Sequence, residues 1–129
     1  MNFIRRNLHR LAGTALTRSG LANLPIRVGR GPLAGMRWTL FPSTAYWRGT
    51  HEPDVQRLFS QLDGPSGKSA WDLCAHYGFY SFIFARLVGT SGRVDAFEPN
   101  PLSYRKLHRH LSLNRLPQIH LHQAAVGSI

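Results

Sequence analysis

The stretch from Ser69 to Pro101, SAWDLCAHYGFYSFIFARLVGTSGRVDAFEPNP, constrains the fold more than any other part of the chain. Ala70 to Leu73 reads as a strand, and Gly78 to Leu87 as a helix with an apolar face from Phe79, Phe82, Ile83, Ala85 and Leu87. Gly89 to Gly92 ends that helix, and Arg93 to Phe97 reads as a second strand. Both strands are short and end beside an acid, Asp72 in the first and Glu98 after the second. Strand, turn, helix, strand is a βαβ unit, which places two parallel strands side by side. Carboxylates at such strand ends point into the crevice where this architecture binds nucleosides.

The segments after it extend the pattern. Asn100 is a natural helix N-cap with Pro101 at the first helical position. The helix that follows is expected to pack Tyr104, Leu107 and Leu111 and to leave Arg105, Lys106, Arg109 and His110 in water, with Asn114 closing it. Ile119 to Val126 reads as a third strand. Before the unit, Asp63-Gly64-Pro65-Ser66-Gly67 is a strong breaker. Glu52 to Leu62 carries Val55, Leu58, Phe59 and Leu62 at helical spacing, and Pro25 to Phe41, broken by glycines and Pro32, reads as a short hairpin or two irregular strands. These boundaries divide the chain into a basic segment 1–24, an extension 25–68 and a βαβαβ portion 69–129.

Charge is unevenly placed. The net charge is +10, yet eight arginines and no acid precede Glu52, while eight basic residues face six acids from there on. Asn2 to Leu21 has Ile4, Leu8, Leu11 and Ala15 on one helical stripe, with Arg5, Arg6, His9 and Arg10 off it. Such an arm can meet a membrane surface, nucleic acid or an acidic partner, and its composition is also that of an organelle transit peptide. Cys74 is the sole cysteine, so no internal disulfide forms and a cytoplasmic setting is expected. No apolar run approaches the roughly 18 residues of a membrane span.

The turn chooses among nucleosides. A dinucleotide fold needs G-x-G-x-x-G for backbone to approach the pyrophosphate, and only Gly78 is present in any register. A cofactor without phosphates tolerates a bulkier turn. S-adenosylmethionine fits, since its ammonium can pair with Asp72 and its ribose diol can donate to Glu98. Metal chemistry is not expected: His108 and His110 are two apart on a helix and do not face together. A hydrolase reading from Ser81, Asp72 and a histidine lacks the G-x-S-x-G elbow. Trp38, Trp47 and Trp71 read as core or lid aromatics, and without a stacking-platform motif a nucleic-acid partner is disfavoured.

Four segments together resemble one family. Asp72-Leu73-Cys74-Ala75-His76-Tyr77-Gly78-Phe79-Tyr80-Ser81 resembles the D-x-G-A-N-x-G-x-Y-S motif of the FkbM-type S-adenosylmethionine-dependent methyltransferases. Ala96-Phe97-Glu98-Pro99-Asn100-Pro101 matches its A-F-E-P-N-P. Tyr46-Trp47-Arg48-Gly49-Thr50-His51-Glu52-Pro53 resembles Y-W-x-G-T-x-E-P, and Ala124-Ala125-Val126-Gly127 resembles A-A-V-G. The resemblance implies a Rossmann-like class I α/β fold of about seven strands, of which the chain supplies the first three and so the N-terminal half. It implies methyl transfer to a hydroxylated small molecule or glycan, with the cofactor held by Asp72, Leu73, Cys74, Ala75, His76, Gly78, Tyr80, Ser81, Glu98, Pro99 and Asn100. No catalytic base is implied. Two positions depart from the pattern: Cys74 stands for a glycine and His76 for an asparagine. The alternative is an inactive fragment or a nucleoside-binding module.

Overall fold

The computed structural model describes residues 20–40 and 44–127. Most of the expected N-terminal amphipathic helix lies outside these residues. The described residues form two compact units, one ending at His51 and one beginning at Glu52.

The first unit is a small hairpin. After a 3-10 turn at Leu21–Asn23, strand β1 (Pro25–Arg27) pairs antiparallel with β2 (Arg37–Thr39). Trp38, Val28 and Leu33 are its most buried apolar side chains, and Trp38 meets Tyr46 of helix α1 (Thr44–Arg48) with ring centroids 5.6 Å apart. Trp38 is therefore the core aromatic the sequence suggested. Trp47 Nε1 donates to the Leu40 carbonyl at 3.2 Å. Gly49 has φ 69°, and a Cβ there would sit 2.3 Å from the Arg30 carbonyl oxygen. Only glycine permits that approach.

In the second unit helix α2 (Pro53–Ser60) precedes β3 (Ser69–Leu73), α3 (Phe79–Val88), β4 (Arg93–Phe97), α4 (Pro101–Asn114) and β5 (Ile119–His122). The sheet order is β3-β4-β5, and both pairings are parallel, with Asp72 opposite Ala96 and Phe97 opposite His122. The α/β fold and the parallel pairing expected from the sequence are both present. Alternation along the strands separates two faces. Ala70, Val94, Ala96 and Ile119 lie on one face with Asp72. Phe82, Ile83, Ala85 and Val88 of α3 and Leu107 of α4 are buried. Phe82, Ile83, Val88 and Leu107 each contribute about 1.5–3 kcal/mol relative to exposure.

Four expectations change. The third strand stops at His122, and Gln123–Gly127 are irregular and exposed, so Ala124 to Gly127 leave the ladder. His110 is fully buried, not wet. It lies three residues beyond Leu107 and so on the same helical face. Trp71 lies on the open side of the edge strand and is 70% exposed, so it is not a core residue. Helix α4 is closed by Arg115 in a left-handed conformation (φ 51°), while the Asn114 amide donates to the His110 carbonyl at 2.8 Å.

Candidate functional site

Two strand-to-helix turns meet at the carboxyl end of the sheet. The first runs from Leu73 to Gly78. Three of its residues have positive φ: Cys74 at 66°, His76 at 52° and Gly78 at 88°. The two departures from the family pattern thus fall on the two positions where glycine and asparagine relieve a left-handed backbone. A side chain in that region costs roughly 1–2 kcal/mol. Gly78 is required for a further reason: a Cβ there would lie 2.2 Å from Leu107 Cδ1 and 3.0 Å from Phe82 Cε2.

This turn is held by groups from elsewhere. Ala75 N donates to the Phe97 carbonyl at 2.9 Å, and His76 N donates to Glu98 Oε2 at 2.7 Å. His110 Nδ1 lies 2.9 Å from the Tyr77 carbonyl, which makes it a donor there and fixes its tautomer. Burial, with Lys106 and Arg109 nearby, lowers the His110 pKa to about 4, against a smaller opposing effect of the Tyr77 bond. Helix α3 starts from Gly78, which offers no side-chain cap, and in its first turn Ser81 makes a backbone hydrogen bond to the Asp72 carboxylate.

The second turn, Glu98 to Asn100, closes on itself. Asn100 Oδ1 accepts from Leu102 N at 2.9 Å and Ser103 N at 3.3 Å, so the expected N-cap is formed. Glu98 Oε1 accepts from Asn100 N at 2.8 Å. Glu98 is therefore pinned between the two turns, each oxygen holding one backbone N–H. A carboxylate oxygen has a second lone-pair site, so acceptor capacity remains at both.

Asp72 is buried and accepts from Ser81 Oγ at 2.5 Å. Desolvation raises its pKa, opposed by the Ser81 bonds and aided by the Glu98 charge. Of the eleven residues singled out in the sequence, Asp72 and Ser81 meet directly, and Glu98 binds both His76 and Asn100. Leu73 and Cys74 are exposed and Ala75 is buried beneath them. Pro99 is exposed between Glu98 and Asn100. Tyr80 reaches back to the start of α2: its hydroxyl hydrogen-bonds Glu52 Oε2, and the two line a pocket of about 380 Å³ with Val55, Phe59, Trp71, Asp72, Leu73 and Phe84.

Sequence reasoning missed the support that His110 gives the turn. Its spacing from Leu107 was the available signal, masked by its polarity. It also missed the cluster on the open sheet face, where Arg93 Nε and Nη2 bind Asp95 at 2.6 and 2.7 Å and His122 Nε2 binds it at 2.7 Å. These bonds, Arg93 first, hold the Asp95 carboxyl well below the usual carboxylate range. Among the described residues no group of three or more His, Cys, Asp or Glu is placed to hold a metal ion. No described helix is long and apolar enough to cross a membrane.

No family model matches the sequence, and no curated protein matches it significantly. Solved structures do share its fold. The yhhF protein of Escherichia coli, described as a candidate methyltransferase, is 14% identical with a TM-score of 0.59, over 79% of this chain and 54% of that one. An S-adenosylmethionine-dependent O-methyltransferase from Thermotoga maritima is 21% identical with a TM-score of 0.53, over 80% and 41%. Coclaurine N-methyltransferase, solved with N-methylheliamine and S-adenosylhomocysteine, is 15% identical with a TM-score of 0.51, over 92% and 37%. The matches thus span about half the length of these proteins or less. At such identities the likeness speaks to the fold, and the chain has the Rossmann-like fold of class I methyltransferases, in part.

Proposed function

We propose that this chain binds S-adenosylmethionine at the carboxyl end of β3 and β4, as the N-terminal half of a methyltransferase of FkbM type. The observation that carries the reading is the placement of Glu98. It is held rigid by His76 N and Asn100 N and keeps acceptor capacity for a diol. Asp72, on the neighbouring strand, supplies a desolvated carboxylate suited to an ammonium group. The backbone from Leu73 to Gly78, with Tyr80, Ser81, Pro99 and Asn100 around it, completes the cradle. The donor set fits the cofactor, although Cys74 and His76 bring side chains to a strained turn.

The cofactor, when bound, supplies an activated methyl group. The chain's residues hold and orient it, which is most of the catalytic work in a transfer between pre-positioned groups. No residue here is assigned as a base. The acceptor class is a hydroxylated small molecule or glycan, by resemblance. Residues 69–129 form the cofactor-binding half, 25–68 an extension and 1–24 a basic arm suited to an anionic surface. The compartment is the cytoplasm. The property proposed for this chain is cofactor binding.

The test is calorimetric titration of the full chain with S-adenosylmethionine. Glu98→Ala should weaken binding by about 1.5–3 kcal/mol, the scale of hydrogen bonds to a charged group. Equal affinity of the two proteins removes Glu98 from the site. Methyl transfer from labelled cofactor to hydroxylated acceptors by the unmodified chain would support the proposed acceptor class.

A further inference from the structure

The first unit carries charge of one sign. Residues 1–51 hold eight arginines and no acid, so no side-chain carboxylate of the unit neutralises them. Four lie among the described residues, Arg27, Arg30, Arg37 and Arg48, and all four are exposed. The fold brings them together in pairs. Arg27 on β1 is the register partner of Arg37 on β2. Val28 N donates to the Met36 carbonyl at 2.8 Å, and Leu40 N donates to the Leu24 carbonyl at 3.0 Å. Hydrogen-bonded pairs alternate along an antiparallel ladder, so Arg27 and Arg37 fall at a non-hydrogen-bonded position, where side chains are closest. Arg30 and Arg48 sit on abutting segments: Gly29 N donates to the Trp47 carbonyl at 3.0 Å, and a Cβ on Gly49 would meet the Arg30 carbonyl oxygen at 2.3 Å.

Like charges directly opposite each other destabilise a strand pair. An anion between two guanidinium forks removes that repulsion and receives paired N–H donors, the geometry that suits phosphate. The surroundings favour a lipid surface over a nucleic acid as its source. Leu21 and Leu24, just ahead of β1, are 45% and 49% exposed. Apolar side chains beside arginines insert at a headgroup boundary, and a phosphodiester strand gives them nothing to meet. The tryptophans offer no platform for stacked bases: Trp38 is fully buried, and the Arg48 guanidinium carbon lies 5.3 Å over the Trp47 ring. In the sequence, the preceding segment combines the apolar Ile4, Leu8, Leu11 and Ala15 with the four other arginines.

We propose that Arg27 and Arg37, flanked by Arg30 and Arg48, form a contact surface for anionic phospholipid headgroups. The contact belongs to the folded hairpin and not only to the basic arm ahead of it. It is independent of the cofactor reading, whose residues Asp72 and Glu98 lie in the second unit.

Co-sedimentation of the full chain with vesicles tests the proposal, with phosphatidylserine and phosphatidylcholine in equal parts compared with phosphatidylcholine alone. Binding is expected to the first and not to the second, and it should weaken as salt is added. Arg27→Gln together with Arg37→Gln should reduce partitioning about 30-fold, the loss of two arginines from a charged membrane contact. Both side chains are exposed and of like charge, so the double variant should unfold cooperatively with no fall in its thermal midpoint, which separates lost binding from lost folding. Equal binding to both vesicles, binding to neither, or a folded double variant that partitions like the parent would each overturn it. Tighter binding to a single-stranded oligonucleotide than to the anionic vesicles, at equal phosphate, would overturn it in favour of nucleic acid.

Discussion

The two strand-to-helix turns do the same topological task by opposite means. The turn after β4 is stabilised from within: Asn100 caps the two N–H groups just ahead of it, and Pro101 begins the helix. The turn after β3 is stabilised from outside, by Glu98, Phe97 and His110, and it spends three left-handed residues to reach α3. A self-capped turn uses up its own donors. A turn tied down from outside takes its rigidity from residues distant in sequence. Left-handed strain is tolerated in the first turn and absent from the second.

The comparison breaks most sharply at Gly78. Gly78→Ala should cost about 3 kcal/mol, by combining left-handed strain with overpacking against Leu107 and Phe82. Urea unfolding measures it, and a loss below about 1 kcal/mol would show that the core around Leu107 yields easily.

Next in size is the external support from His110. Its folded-state pKa of about 4 lies below the unfolded value of 6.5, so the unfolded chain takes up the proton first. The stabilisation is fully present above pH 6.5 and declines as pH falls from there towards 4. Between pH 7 and pH 5 one such group removes about 2 kcal/mol. His110→Gln should lose that component of the pH slope, and an unchanged slope would show that other groups set it.

Asn100→Ala should cost about 1 kcal/mol of stability, the usual value of an N-cap, and should weaken cofactor binding less than Glu98→Ala does, because the backbone N–H that holds Glu98 is kept. A loss of affinity as large as that of Glu98→Ala would show that the Asn100 side chain itself meets the cofactor.

The smallest effect has the opposite sign. Cys74→Gly should stabilise the protein by about 0.5–1 kcal/mol, since glycine relieves the positive φ but adds entropy to the unfolded chain. It should also tighten cofactor binding. Weaker binding by the glycine variant would mean that the Cys74 side chain contributes to the site.

The sequence by itself determined the element order of the second unit, the parallel pairing and the Asn100 cap. Each of these rests on local periods and turn chemistry, which act over a few residues. It also marked Asp72 and Glu98, because strand ends are legible from the breakers that follow them. Tertiary structure alone decided the rest. The burial of His110 depends on the carbonyl of Tyr77, thirty-three residues away, becoming its partner. The end of β5 at His122 depends on how far β4 extends beside it, since a strand needs a neighbour to pair with. Trp71 is exposed because nothing lies beyond the edge of β3 among the described residues, a fact about neighbours and not about tryptophan. Local interactions fix what a segment can become, and only the packed fold fixes which polar groups lose their water and which apolar ones keep it.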